Sequence, residues 1–326
     1  MRKLKDLSDQ LNEPSMTQPL TIVMYHYVRD LERSRFPRIK GLSLERFRRQ
    51  LDYIESHYTP VTVEAVLASM STAEPLPKNA VLLTFDDGYS DHFANVFPLL
   101  DERQIQGCFF PPAQAILEHC VLDVNKIQFV LASVPDAKDL LDQIFAVLPE
   151  FSVSHRLKTR EAYLESVTEQ HRYDTREVIV LKRLLQRELP ESVRAEIVRR
   201  LFARHVTADE AAFASELYMS VEQIACLRRH GMHIGSHGYT HAWLNHIPSE
   251  AQAEEVDQSL AFLGRFGVNP NSWTICYPYG GFNDSLLQIV GLRRCSLGFT
   301  VEPRVADLST DDPLALPRVD TNDLPS

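Results

Sequence analysis

Residues 84–88 read Thr-Phe-Asp-Asp-Gly and place two adjacent carboxylates, Asp86 and Asp87, at the end of the apolar run Ala80–Phe85. Neighbouring strand residues point in different directions, so the two need not share a role: one can bind a metal while the other stays free as a base. Taken alone, the segment serves equally well as a helix cap, with Asp87 or Ser90 capping a helix from Asp91. A second cluster, Gly235-Ser-His-Gly-Tyr-Thr-His241, spaces His237 and His241 so that they can converge on one ion from a single turn of chain. Two imidazoles and one carboxylate make a three-ligand set with a position open for water, as a catalytic metal site requires. A third segment, Cys276-Tyr-Pro-Tyr-Gly-Gly281, is a proline-stiffened, glycine-rich loop that could bring a backbone N–H close to a ligand. Ordinary turns share that composition.

Each cluster follows a short apolar run. The runs Leu20–Tyr25, Ala80–Phe85, Gly107–Phe110, His233–Ser236, Trp273–Tyr277, Leu297–Thr300 and Leu316–Val319 are predicted strands. They alternate with helical patterns, as in βα-repeat proteins built on a parallel sheet. The first two are near-continuous apolar runs, the mark of strands covered on both faces. In parallel α/β barrels the C-terminal strand ends carry the active site. Leu44–His57 sets Phe47, Leu51 and Ile54 on one helical face. Ser220-Val-Glu-Gln223 and Ser249-Glu-Ala-Gln252 have the capping-box pattern, the second opening a helix to about Phe266. From about 115 to 217 the chain has helical spacing and no convincing strand. Such an insertion either covers the barrel mouth and shapes a substrate site, or is a structural or dimerising appendage.

Together and in this order, the three clusters resemble the polysaccharide deacetylases, the NodB-homology domain of carbohydrate esterase family four. Thr84–Gly88 matches the family's Thr-Phe-Asp-Asp-Gly in full. His237 and His241 match the spacing of its His-(Ser/Thr)-x-x-His, with Gly238 at the hydroxyl position. Pro278 and Tyr279 match its Arg-x-Pro-Tyr, with Cys276 in place of arginine. The likeness covers about 20–115 and 218–320. It implies a distorted barrel, (β/α)7, carrying a large helical insertion, and a metal-dependent hydrolase that removes an N-acyl group, N-acetyl first, from an amino sugar. It also implies Asp87, His237 and His241 as ligands of one divalent ion, zinc by default, with nickel, cobalt or manganese fitting too. Asp86 becomes the general base, and Tyr279 offers its backbone N–H to the oxyanion.

Two departures matter. Family members commonly draw the general acid from a late histidine, and this chain has none after His246. The arginine that would orient the base is missing at 276. His26, ending the first strand, and Arg318, ending the last, are the substitutes. A subset of the family begins with a stretch similar to Tyr25-His26-Tyr27-Val28. The plain alternatives are a core histidine and a surface salt bridge, and the insertion, through His119 or a carboxylate, is the second choice of acid.

The chain has 326 residues, 44% hydrophobic, enough for one large barrel domain or two ordinary ones. The expected division is an extension over 1–19 and the barrel over 20–326. A net charge of −10 argues against a general nucleic-acid binder. Five scattered cysteines have no paired spacing, which disfavours structural zinc or a disulfide framework. The first twenty residues carry basic side chains with no apolar run behind them, so neither a secretory signal nor a transmembrane segment is expected. The expected location is the cytoplasm, where the substrate is an acylated sugar that is activated or lipid-linked at the inner membrane face. That setting points to making surface polysaccharide or lipopolysaccharide. The rival readings are a metal amidase or O-acetyl esterase on another substrate, and an inactive carbohydrate-binding protein.

Overall fold

The structure, a computed structural model, describes residues 18–72, 74–165 and 174–325. Most of the expected extension therefore lies outside the described residues. Seven parallel strands make the barrel: β1 (Pro19–Tyr25), β2 (Ala80–Asp86), β3 (Gly107–Phe110), β4 (His233–Ile234), β5 (Trp273–Cys276), β6 (Cys295–Phe299) and β7 (Val319–Asp320). β1 pairs with β2, β2 with β3, β3 with β4 and β5 with β6. Single parallel bridges, Ser236 to Ile275 and Phe299 to Leu316, span the two remaining gaps, and β7 returns to β1 at Val23–Val319. The barrel is closed but loosely stitched at these two seams, hence distorted.

All seven predicted runs supply barrel strands, with shifted ends. Leu316 makes only its bridge to β6, so the last strand begins at Val319 rather than Leu316. Alternate residues sort the core into two layers, as strand geometry demands. Leu20, Ile22, Ala80, Leu82, Cys108, Phe110, Cys276 and Leu297 fill one cluster, while Val23, Val81, Leu83, Phe85 and Phe109 join the larger cluster with the helices. Asp86 continues the Ala80, Leu82, Thr84 series and so falls on the barrel-interior side.

The helix α1 (Leu44–His57) buries Phe47, Leu51 and Ile54, as its spacing predicts. Among the described residues the insertion is helical, including α2 (Asp123–Ser133) and α3 (Glu191–His205). Ser220 forms the expected capping box at α4 (Val221–Arg229). The second capping box does not form. Helix α5 (Ser249–Gly264) already contains Ser249, its N-cap is Pro248, and Ser249 Oγ turns to Glu250 instead. Helix α6 (Asp284–Leu292) packs on α5. The helix-cap reading of Asp87 and Ser90 also fails: Ser90 Oγ donates to the Glu216 carbonyl at 2.6 Å, and neither Asp87 oxygen accepts from a backbone N–H.

At the opposite end of β4 from the clusters, His233 is buried and shares a 2.8 Å hydrogen bond with Thr274 Oγ1. Burial, the largest influence, pushes its pKa down to about 4. An unfolded histidine takes a proton near pH 6.5, before the folded one does. Stability from this group is thus complete above about pH 6.5 and lost as pH falls to 4, by about 3 kcal/mol. His233→Gln is expected to flatten the unfolding free energy against pH across that window; an unchanged slope would show that His233 does not titrate there.

Candidate active site

Asp86 and Asp87 end one strand but face different surroundings. Asp86 is buried and met by Arg318, whose Nη1 and Nη2 donate to its two oxygens at 2.9 and 2.7 Å. The guanidinium is itself fixed: Nε donates to the Thr300 carbonyl at 2.8 Å, and Nη1 reaches Thr84 Oγ1 and Cys276 Sγ, each at 3.1 Å. The short Cys276 side chain leaves the room that Arg318 fills from across the barrel. Burial alone would raise the Asp86 pKa, but the Arg318 charge and hydrogen bonds, helped by His237, hold it well below the usual carboxylate range. Arg318 is a buried partner of Asp86, not a surface salt bridge.

Asp87 turns away from that clamp, in the left-handed region at φ 69°, with Gly88 following at φ 64°. A side chain at Gly88 would strike Pro111, its Cβ 2.8 Å from Pro111 Cβ, so glycine is required there. This double turn brings Asp87 Oδ1 to 3.3 Å from His237 Nε2 and 3.4 Å from His241 Nε2. Oδ1 is buried and accepts no hydrogen bond. His237 Nδ1 donates to the Cys276 carbonyl at 2.8 Å, which leaves the Nε2 lone pair facing Asp87. Three ligand atoms around one tetrahedral centre at 2.0–2.2 Å stand roughly 3.3–3.6 Å apart. The two observed separations and the orphaned oxygen therefore fit a metal ion. Among the described residues, Asp87, His237 and His241 are the group found able to hold one.

The loop bearing the histidines is held by Glu255 of α5. Its carboxylate accepts from the backbone N–H groups of Tyr239 and Thr240 at 2.9 and 3.0 Å, and from Thr240 Oγ1. Glu255 lies on the buried stripe of α5 with Gln252, Val256 and Ser259, and a carboxylate at such helical spacing is the signal by which the sequence marks it. His241 at φ 62° and Tyr279 at φ 57° are left-handed like Asp87. Such conformations cost about 1 kcal/mol or more each and concentrate at functional sites.

A cavity of about 850 Å³ opens over His241 and Tyr279. The Tyr279 ring meets His241 edge-on at 4.8 Å and stacks on Trp243 at 4.3 Å, and Arg187 of the insertion lies 3.9 Å above Trp243. Asp123 and Lys126 of α2 and Arg194 of α3 line the opposite wall. The insertion thus shapes the cavity over the site, one of its two expected placements. His26 is solvent-exposed rather than a core histidine, and it is not among the residues lining that cavity. Its carbonyl accepts from buried His92 at 2.8 Å. His119 is exposed beside Ser215, outside the cavity lining.

A buried bidentate carboxylate, an orphaned oxygen between two imidazoles and a cavity above them are the parts of a hydrolase site. Comparison with known proteins agrees. A family model described as polysaccharide deacetylase matches residues 73–171 and 188–293, and the chain belongs to that family, hydrolases of carbon–nitrogen bonds other than peptide bonds. The poly-beta-1,6-N-acetyl-D-glucosamine N-deacetylase of Escherichia coli (strain K12) is 39% identical over 57 residues, 18% of this chain and only 8% of that protein. The deacetylase PplD of Streptococcus pyogenes, solved in complex with acetate, superposes with a TM-score of 0.58 at 17% identity, covering 94% of this chain and 93% of that one. IcaB from Ammonifex degensii gives 0.52 at 19% identity, over 93% and 92%. At such identities these two establish the fold, a (β/α) barrel, and nothing finer.

Arg318→Met would strand a buried carboxylate and is expected to cost about 3–5 kcal/mol in denaturant unfolding. Adding Asp86→Leu should recover most of that loss. A single variant as stable as the parent would show that the pair is not coupled.

Proposed function

We propose that the protein removes an N-acyl group, N-acetyl foremost, from an amino sugar, with Asp87, His237 and His241 holding one divalent ion. The orphaned Asp87 oxygen between two imidazoles carries this reading. Zinc suits the ligand mixture best, and nickel, cobalt or manganese would fit. When bound, the ion supplies an acidified water and polarises the acyl oxygen.

The chain's own groups do the rest. Asp86 takes the proton from the attacking water. A carboxylate offers about four lone-pair sites, and the Arg318 fork uses two, leaving the others for that proton. The clamp keeps Asp86 ionised and oriented. The Tyr279 backbone N–H is the donor to the oxyanion as the carbonyl becomes tetrahedral. His26 gives a proton to the leaving nitrogen, because an amide expels an unprotonated amine poorly.

The cavity, about 850 Å³, is of a size to hold a small ligand whole. This supports an activated or lipid-linked sugar as substrate, within surface polysaccharide or lipopolysaccharide synthesis. All five cysteines are unpaired, which supports a reducing, cytoplasmic setting. No helix among the described residues is long and apolar enough to cross a membrane.

The test is acetate release from acetylated amino sugars and nucleotide-linked sugars, with metal content measured alongside. Asp86→Asn is expected to keep the metal and lose about 10²–10⁴-fold in turnover. Asp87→Ala should lose both, so equal metal loss in the two would show the roles misassigned. His26→Ala should slow the amide selectively, sparing an ester analogue with a good leaving group. Undiminished amide turnover would remove His26 from the reaction.

A further inference from the structure

The two oxygens of Asp87 have unlike surroundings. Oδ1 is bare, whereas Oδ2 accepts a hydrogen bond from the Tyr89 hydroxyl. We propose that Asn125, on the insertion helix α2, is a positioning residue for Asp87 and acts through the Tyr89 hydroxyl. This inference rests on the metal-site reading above.

The direction of each hydrogen bond supports it. The Leu122 N–H donates to the Tyr218 oxygen at 3.0 Å, so Tyr218 spends its own proton on Asn125 Oδ1, at 2.6 Å. That contact fixes which way the amide faces. Asn125 Nδ2 then points to Tyr89 at 2.8 Å and to Tyr27 at 3.1 Å. Tyr27 passes its proton to Gln128 Oε1 at 2.8 Å. With its oxygen accepting from Asn125, Tyr89 directs its proton to Asp87 Oδ2. The donors thus run one way, from a backbone amide to the carboxylate.

Packing holds the chain in place. Tyr89 and Asn125 have no solvent exposure, and Tyr27 stacks on Tyr89 with centroids 3.9 Å apart. With Oδ2 occupied by a neutral donor, the carboxylate keeps Oδ1 toward the imidazoles. Helix α2 therefore has two jobs. Asp123 and Lys126 line the cavity, while Asn125 between them reaches the support of the metal ligand.

The experiment is Zn²⁺ affinity, by chelator competition at one pH, for the native protein, Tyr89→Phe, Asn125→Ala and the double variant, with unfolding midpoints recorded. Each single change is expected to weaken Zn²⁺ binding by roughly 10–100-fold. The double variant should be no weaker than the worse single one, since Asn125 acts only by orienting the hydroxyl that Tyr89→Phe removes. If Asn125→Ala does not fold, Asn125→Asp replaces it, keeping the acceptor for Tyr218 and losing the donor to Tyr89. Native affinity in the Asn125 variant, or losses that multiply in the double, would overturn this inference alone. A native protein that binds no Zn²⁺ or other divalent ion would overturn the metal-site reading and this inference with it.

Discussion

Two neighbouring carboxylates, Asp86 and Asp87, are buried at the end of one strand, and burial opposes both charges. Each must therefore be given its own partners, and the surrounding structure follows from how that is done. Asp86 lies on the interior side of the barrel and needs a cation there. Arg318 supplies it from just before β7, whose pairing with β1 closes the barrel. The segment that closes the barrel thus also supplies the cation beside Asp86. Asp87 is turned outward by two left-handed residues and meets a different set: imidazoles on one oxygen, a phenol on the other.

That division explains which parts were legible in the sequence. Apolar runs reported the strands most clearly where the strand is buried on both faces, as in β2, β3, β4 and β5, and least clearly at half-buried β7, whose start was displaced. The motif residues were legible because their types and spacing are local. Arg318 was legible indirectly, through the gap left by Cys276, since an unpaired buried carboxylate is not tolerable. The Tyr27, Tyr89, Tyr218 and Asn125 cluster was not legible: its members are far apart in the chain and meet only when the insertion folds back. Ser249 misled because the residue before it, Pro248, already serves as the N-cap, placing the serine inside the first turn.

The insertion converts an open barrel end into a walled cavity without changing the chemistry beneath. Its start is pinned to the histidine loop, Gln114 N–H donating to the Tyr239 carbonyl at 2.9 Å. Its helices then bring Arg187 over the face of Trp243, with Arg194 and Lys126 lining the same cavity. The same segment therefore lines the cavity and, through Asn125, contacts Tyr89 beside Asp87.

The most direct measurement is anomalous X-ray scattering from crystals soaked in Zn²⁺, collected on both sides of the zinc absorption edge. One strong peak is expected within about 2.0–2.2 Å of Asp87 Oδ1, His237 Nε2 and His241 Nε2. A peak bound elsewhere, with these three side chains still unligated at saturating zinc, would contradict the three-ligand site.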